Sequence, residues 1–161
     1  ITESLGVDPD IIVTNERPAD LRTINPRISK SQKIVVVPNK PTEEEIDEIL
    51  RYYDNPIVTL HGWLRIMPPA ICENYTIFNG HPGLITKYPD LKGKDPPVKS
   101  HELGHEVAGA VLHKVTAGVD EGPILMEEKF NASQLSLDDL FRILADRSLY
   151  MWIKFLEKAL W

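Results

Sequence analysis

The sequence has little cysteine and no long apolar run. Cys72 is the single cysteine among 161 residues, which excludes an intramolecular disulfide and agrees with a reducing compartment. No apolar stretch approaches the roughly 20 residues that span a bilayer. The first residues also lack the basic and apolar blocks of a signal peptide. We therefore expect a cytoplasmic protein that does not contact a membrane.

Basic residues are in the minority. Lysine and arginine number 18 against 24 aspartates and glutamates, giving a formal net charge of -6. This balance argues against a sequence-independent grip on nucleic-acid phosphates. The chain contains no internal repeats, and its 13 prolines are scattered between elements rather than gathered in one linker. Its length predicts a single domain over residues 1–161, with homo-oligomerisation left open.

Short apolar, β-branched runs predict strands that are covered on both faces. They lie at Asp10 to Thr14, Lys33 to Val37 and Ile57 to Leu60, and Tyr75 to Asn79 predicts a fourth strand. Thr42 and Glu45 have capping-box spacing and predict the start of a helix between the second and third runs. Strands that alternate with helices at this spacing favour parallel pairing in a doubly wound sheet.

The second half has a different rhythm. Residues Gly80 to Pro97 are dense in glycine, proline, lysine and aspartate and predict a long loop. A short helix over Val98 to Leu103 and strands over Glu106 to Val115 and Ile124 to Phe130 follow. Ser136 and Asp139 predict the start of a final helix. Its expected buried stripe is Leu137, Leu140, Phe141, Leu144, Leu149, Trp152, Ile153 and Leu156.

Polar residues follow the fourth predicted strand, where open parallel sheets place their ligands. Asn79 and His81 are two residues apart, so in extended backbone their side chains project to the same side. An amide and an imidazolium there can stabilise a developing oxyanion. Asp120, in the turn before the last predicted strand, is a candidate third member because it can keep the histidine protonated. Taken alone, an Asn-x-His pair is more often a strand-end polar pair than a catalytic one.

Several spaced motifs, in order, resemble the folate-dependent formyltransferases, including the glycinamide ribonucleotide, methionyl-tRNA and sugar-amine formyltransferases. The similarity runs from about Asp10 to the C-terminus. Its motifs are Leu60-His61-Gly62-Trp63-Leu64-Arg65-Ile66-Met67-Pro68-Pro69, Phe78-Asn79-Gly80-His81-Pro82-Gly83-Leu84-Ile85, Lys87-Tyr88-Pro89 with Gly93, Leu112-His113-Lys114-Val115 and Val119-Asp120-Glu121-Gly122-Pro123-Ile124-Leu125. The resemblance implies an α/β, Rossmann-like formyltransferase fold: a mostly parallel sheet, helices on both faces and a long C-terminal helix.

The resemblance also implies a catalytic trio of Asn79, His81 and Asp120. A substrate amine would attack the formyl carbon of 10-formyltetrahydrofolate directly, without a metal, through a tetrahedral intermediate. Asn79 and His81 would stabilise the oxyanion, while Asp120 would support the charged histidine and organise a water that moves protons. The family's pterin pocket corresponds here to Leu64, Arg65, Ile66 and Met67 and to Thr116, Ala117, Gly118 and Val119.

Two departures from the family pattern leave the amine acceptor open. No glycine- and serine-bearing phosphate loop is present, because the similarity begins near what would be the second strand. The family's Ser-Leu-Leu-Pro is replaced by Gly83-Leu84-Ile85-Thr86, and Lys92 and Lys94 follow where substrate contacts would lie. We expect Gly83, Lys92 and Lys94 to contact a small-molecule amine. Glycinamide ribonucleotide is the first candidate, and a sugar amine or another nucleotide amine is the next.

Two other functions compete with this one. His101-Glu102-Leu103-Gly104-His105 matches the zinc-hydrolase pattern His-Glu-x-x-His, which needs both histidines on one continuous helix and a third ligand. Gly104 favours a helix end, and the residues that follow favour a strand. The second alternative is a catalytically silent folate- or nucleotide-binding module.

Overall fold

The computed structural model describes residues 1–161. The chain divides into two compact units, Ile1–Tyr52 and Tyr53–Trp161. Both carry strands and helices, and the candidate site residues named above all lie in the second unit.

The first unit contains a two-stranded parallel sheet. Its elements are α1 (Thr2–Leu5), β1 (Ile12–Thr14), α2 (Pro18–Ile24), β2 (Ile34–Val36) and α3 (Glu43–Leu50). β1 pairs with β2 in parallel, with Val13 opposite Val35. The predicted capping box is confirmed: the hydroxyl of Thr42 accepts from the amide of Glu45, whose carboxylate accepts from the amide of Thr42. Three acidic residues in the first turn then suit the positive end of the helix dipole.

The second unit is built on a four-stranded sheet in the order β3-β4-β5-β6. Its elements are β3 (Ile57–Leu60), α4 (Pro69–Asn74), β4 (Thr76–His81), a 3-10 turn (Pro89–Leu91), α5 (Pro96–Glu102), β5 (Val107–Lys114), β6 (Ile124–Asn131) and α6 (Leu137–Leu160). The predicted strands are confirmed within one or two residues at each end. β4 extends two residues further than predicted and therefore includes His81.

Parallel pairing holds for β1 with β2 and for β3 with β4, whereas β4 with β5 and β5 with β6 are antiparallel. The connection from Lys114 to Ile124 is too short for the crossover of a dozen or more residues that parallel strands require. The predicted parallel pairing therefore covers the two-stranded sheet and only one strand pair of the four-stranded sheet. The antiparallel hairpin brings the turn around Asp120 back towards the end of β4.

The C-terminal helix supplies much of the core. Ser136 caps α6 by accepting from the amide of Asp139, as predicted. Leu140, Leu144 and Met151 of α6 pack with Ala108 and Ala110 of β5. The predicted stripe is wrong at Phe141 and Leu149, which are exposed, while Met151 takes a buried place that the pattern missed. No helix in the chain combines the length and apolar character that a membrane span needs.

Candidate active site

The end of β4 carries the first two members of the predicted trio. Asn79 is half-buried and His81 is buried. They flank Gly80 in extended backbone, so their side chains lie on one face of the sheet and Gly80 turns towards the other face. The sheet therefore fixes both groups on rigid backbone rather than on a loop.

Asp120 reaches this strand end from the hairpin between β5 and β6. Its Oδ2 lies 3.3 Å from Nδ1 of His81, and the carboxylate is largely covered. Asp120 has a φ of 50°, in the left-handed region that few non-glycine residues adopt, although aspartate tolerates it better than most. Backbone strain of this kind clusters at functional sites and is held there by the surrounding structure. The structure thus brings His81 and Asp120 into direct contact, as the sequence predicted.

His113 joins the two ends of the site and was not predicted as a site residue. It lies directly opposite Asn79 in the antiparallel register of β4 and β5. Its buried Nε2 is 3.4 Å from Nδ2 of Asn79 and 3.4 Å from Oδ1 of Asp120, and its Nδ1 donates to the carbonyl of Lys114. A neutral His113 can accept from Asn79, and a protonated His113 can donate to Asp120. Asn79 and Asp120 therefore share one nitrogen of His113, which bonds to one or the other according to its protonation state.

The last residue of the 3-10 turn, Leu91, and the nearby Gly93 close the site with two backbone groups. Nε2 of His81 donates to the carbonyl of Leu91 at 2.8 Å, and the amide of Gly93 donates to Oδ2 of Asp120 at 2.9 Å. The carbonyl favours a protonated histidine, and the amide favours an ionised aspartate. Backbone partners have no signature in the sequence, so neither contact could have been predicted from it.

Burial and charge oppose each other at this site. Burial is the largest influence on the pKa of His81 and holds it below its ordinary value, although Asp120 and the Leu91 carbonyl act in the opposite direction. Burial alone would raise the pKa of Asp120. Hydrogen bonds from His113 and Gly93 and the charge of His81 outweigh it, so this pKa is lowered. The predicted support of His81 by Asp120 is therefore present, but burial prevents it from raising the pKa of the histidine.

The expected substrate contacts lie close to this pair. Gly83 is buried, and a Cβ there would lie 3.0 Å from Nε2 of His81 and 2.7 Å from Cβ of Pro96. Lys92 and Lys94 flank Gly93 and are at least partly exposed. Gly83 thus borders the His81 ring, whereas the two lysines stand beside the segment that contacts Asp120.

The residues expected to form a pterin pocket are partly exposed. Leu64 and Ile66 retain 85% and 64% of their accessible surface, while Met67 is buried. Nε1 of Trp63 is buried without a hydrogen-bond partner, and the Arg65 guanidinium lies over the Trp63 ring at 5.6 Å. Thr116 to Val119 lead directly into Asp120, and Val119 is exposed. These exposed side chains leave apolar surface that a bound ring could cover.

The two histidines of the zinc-hydrolase pattern do not share a helix. α5 ends at Glu102, and Gly104 has a φ of 64°, which ends the helical path before His105. His105 instead stacks on Tyr88 with ring centroids 3.7 Å apart, and its Nδ1 lies 3.2 Å from Oγ of Ser100. The helical spacing that the zinc alternative requires is therefore not formed.

Together these features define an α/β protein with a covered histidine-aspartate pair and an asparagine at the end of a parallel strand. Residues 11–147 match the family model described as formyl transferase. The chain belongs to this family, and the resemblance seen in the sequence motifs is confirmed.

Individual relatives support the same assignment. The phosphoribosylglycinamide formyltransferase of Escherichia coli is 33% identical over 89 residues, which cover 54% of this chain and 41% of that protein. A formyltetrahydrofolate deformylase of Synechocystis is 31% identical over 107 residues, which cover 65% of this chain and 37% of that protein. The crystal structure of phosphoribosylglycinamide formyltransferase from Anaplasma phagocytophilum superimposes with a TM-score of 0.71 at 27% identity, covering 91% of this chain and 72% of that one. The segments matched in the two curated relatives span less than half of their length.

Proposed function

We propose that this chain catalyses transfer of a formyl group from 10-formyltetrahydrofolate to a small-molecule amine. The observation that carries the proposal is the contact between His81 and Asp120 beside Asn79, at the strand end where the family motifs place it. Family membership supplies the class of reaction. The geometry supplies side chains that suit it.

The donor is best accommodated by the loop 61–67 and by residues 116–119. Leu64 and Ile66 offer exposed apolar surface, and Val119 offers more at the other segment. At least partial exposure supports Leu64, Arg65 and Ile66 as pterin-binding residues, whereas Met67 is buried and is a core residue. Thr116, Ala117, Gly118 and Val119 are proposed because they lead directly into Asp120. When bound, the folate would supply the formyl carbon to be transferred. A relative whose name includes formyltetrahydrofolate is among those that match this chain.

Asn79 and His81 act on the oxygen of the transferred formyl group. Attack by an amine moves negative charge onto that oxygen, and N–H donors fixed on β4 stabilise the charge without reorganising. His81 must release the Leu91 carbonyl to donate from Nε2. Developing negative charge next to the imidazole favours its protonated form and so offsets the effect of burial.

Asp120 acts on protons. Its carboxylate accepts from Nδ1 of His81 when that nitrogen carries a proton, which aims Nε2 towards the reacting oxygen. Its hydrogen bonds keep it ionised at neutral pH. An ionised carboxylate at the edge of the site can also orient a water that takes a proton from the attacking amine and returns it to the departing nitrogen.

The amine acceptor is proposed at the side of the site formed by Gly83, Lys92 and Lys94. The lysines give this edge positive charge, which suits a phosphate-bearing amine. Glycinamide ribonucleotide is the first candidate, because relatives with phosphoribosylglycinamide formyltransferase activity in their names match the chain. A sugar amine or another nucleotide amine is the second.

The experiment is a donor-consumption assay with 10-formyltetrahydrofolate and each amine in turn. We expect turnover with at least one amine and loss of about two orders of magnitude or more in kcat for Asn79→Ala and His81→Ala, as for removal of an oxyanion donor. Leu103→Ala, at an exposed residue, is the control and should retain wild-type turnover. Turnover that is insensitive to His81→Ala would remove this residue from the mechanism.

A further inference from the structure

At Gly80, the face of β4 opposite Asn79 and His81 is covered by Trp152 of α6. Gly80 lies between the two polar residues, and a Cβ built on it would lie 2.8 Å from Nε1 and 3.3 Å from Cε2 of Trp152. Real Cβ atoms essentially never come within 3.0 Å of such a neighbour. The indole edge of Trp152 therefore occupies the space that any larger side chain at residue 80 would need.

Trp152 is well placed to hold its position. It retains only 5% of its accessible surface and forms an edge contact with Phe155, with ring centroids 6.2 Å apart. Phe155 in turn packs edge-on against Phe78 of β4 at 4.6 Å. Neighbours on both α6 and β4 thus hold the indole in place. In a closely packed interior, a change in the indole would shift the backbone that it contacts.

The same indole also touches the loop that begins after β3. His61 packs against Trp152 with ring centroids 4.8 Å apart and an interplanar angle of 50°, and its Nε2 lies 3.1 Å from Oγ1 of Thr59. Residue 61 is the first of the loop 61–67 that carries Leu64 and Ile66. One side chain therefore contacts both the catalytic strand end and the start of the proposed donor loop.

We propose that Trp152 is a positioning residue for formyl transfer, acting through Gly80 on the placement of Asn79 and His81. The expected effect on turnover rests on the proposed function. The contact between Trp152 and Gly80 does not depend on that function. Displacing a strand end by about 1 Å is enough to lower turnover by up to two orders of magnitude when the displaced groups stabilise the transition state. The indole lies on the face of β4 opposite Asn79 and His81, so its effect on these side chains is through their placement.

The test compares Trp152→Leu with Leu144→Ala in the full chain. Leu144 is a buried residue of the same helix that packs with Ala108 and Ala110 of β5 instead of Gly80. Both variants should lower the Tm. We expect Trp152→Leu to lower kcat about tenfold or more while the KM for the amine stays within about twofold, as for a loss of positioning. Leu144→Ala should keep the wild-type kcat at temperatures below its Tm. Trp152→Phe should recover part of the lost kcat.

A second pair tests the contact itself. Gly80→Ala should lower the Tm and kcat in the wild-type background, because the new methyl group meets the indole. In the Trp152→Leu background the same substitution should have a much smaller effect, since the obstructing atoms are gone. Equal effects of Gly80→Ala in both backgrounds would overturn the proposal, as would a Trp152→Leu variant with wild-type kcat.

A readout without turnover separates this inference from the proposed function. In the NMR spectrum, the ring signals of His81 and the side-chain amide signals of Asn79 should shift in Trp152→Leu and stay in place in Leu144→Ala. If the wild-type chain transfers no formyl group to any amine, the proposed function fails. The NMR shifts, and the dependence of the Gly80→Ala effect on Tm upon residue 152, still test whether Trp152 positions Asn79 and His81. Unmoved His81 and Asn79 signals in Trp152→Leu would refute this positioning role whatever the activity.

Discussion

Nδ1 of His81 lies 3.3 Å from Oδ2 of Asp120, and the two side chains come from elements nearly 40 residues apart in the chain. The antiparallel hairpin of β5 and β6 makes this meeting possible. The carboxylate is held on its other side by the amide of Gly93 and by His113. The pair is therefore part of a connected polar network.

Asp120→Asn should lower kcat by about two orders of magnitude or more, because the charge that supports His81 is lost and one of the two oxygens that can orient water becomes an amide nitrogen. The amide keeps the size of the side chain, so the variant should remain folded while its turnover is lost. Steady-state kinetics and thermal unfolding measure the two effects. Asp138→Asn, at an exposed residue of α6, is the matched control and should behave as wild type.

His113→Ala should lower kcat by about tenfold, since it removes the Nε2 that either accepts from Asn79 or donates to Asp120. His113→Gln retains a side-chain amide and should recover part of that loss. Kinetics of the three forms at saturating donor and amine would show the ranking. If His113→Ala had unaltered kinetics, the contacts of His113 with Asn79 and Asp120 would have no role in turnover.

Stability should rise with pH on the acid side of neutrality. The pKa of His81 is lower in the folded chain than its ordinary value of about 6.5, so between these two pH values the unfolded chain binds more protons and unfolding is favoured as pH falls. Asp120 acts in the same direction at lower pH, because its lowered pKa gives stability that is lost as pH falls through the folded value. Tm measured from about pH 7.5 to 5 should therefore fall, and His81→Asn should reduce the slope. His101→Asn, at an exposed residue, should keep the wild-type slope. An unchanged slope in His81→Asn would contradict the effect assigned to burial.

The sequence predicted most of the elements and the contact of His81 with Asp120, because their signals are local or belong to ordered motifs. Thr42 and Glu45 predict a capping box within four residues. The spacing of Asn79 and His81 predicts that they share a face of the strand. The role of His113 was missed because it depends on which residue of β5 lies opposite Asn79, and register is a property of two strands. The exposure of Phe141 and Leu149 was missed for a similar reason: a helical stripe shows which residues share a face, but the neighbouring sheet decides which of them it covers.

Donor binding should depend on the exposed apolar residues of the loop 61–67. A reduced folate is expected to raise the Tm of the wild-type chain, because binding to the folded form alone stabilises it. Leu64→Asp should abolish most of that increase by placing a charge where apolar surface is covered. Leu103→Asp changes another exposed leucine, which directly follows α5, and should leave the increase in Tm intact. An equal increase in Leu64→Asp and wild type would place the donor elsewhere.

The most direct test of the account is the rate of formyl transfer from 10-formyltetrahydrofolate to glycinamide ribonucleotide and to sugar and nucleotide amines. It should be measured for the wild-type chain, Asn79→Ala, His81→Ala and Asp120→Asn under identical conditions. The wild-type chain should transfer the formyl group to one of these amines. Each variant should remain folded and lose about two orders of magnitude or more in kcat. Wild-type transfer that persists unchanged in His81→Ala and Asp120→Asn, or the absence of transfer to every amine by a folded wild-type chain, would contradict this account.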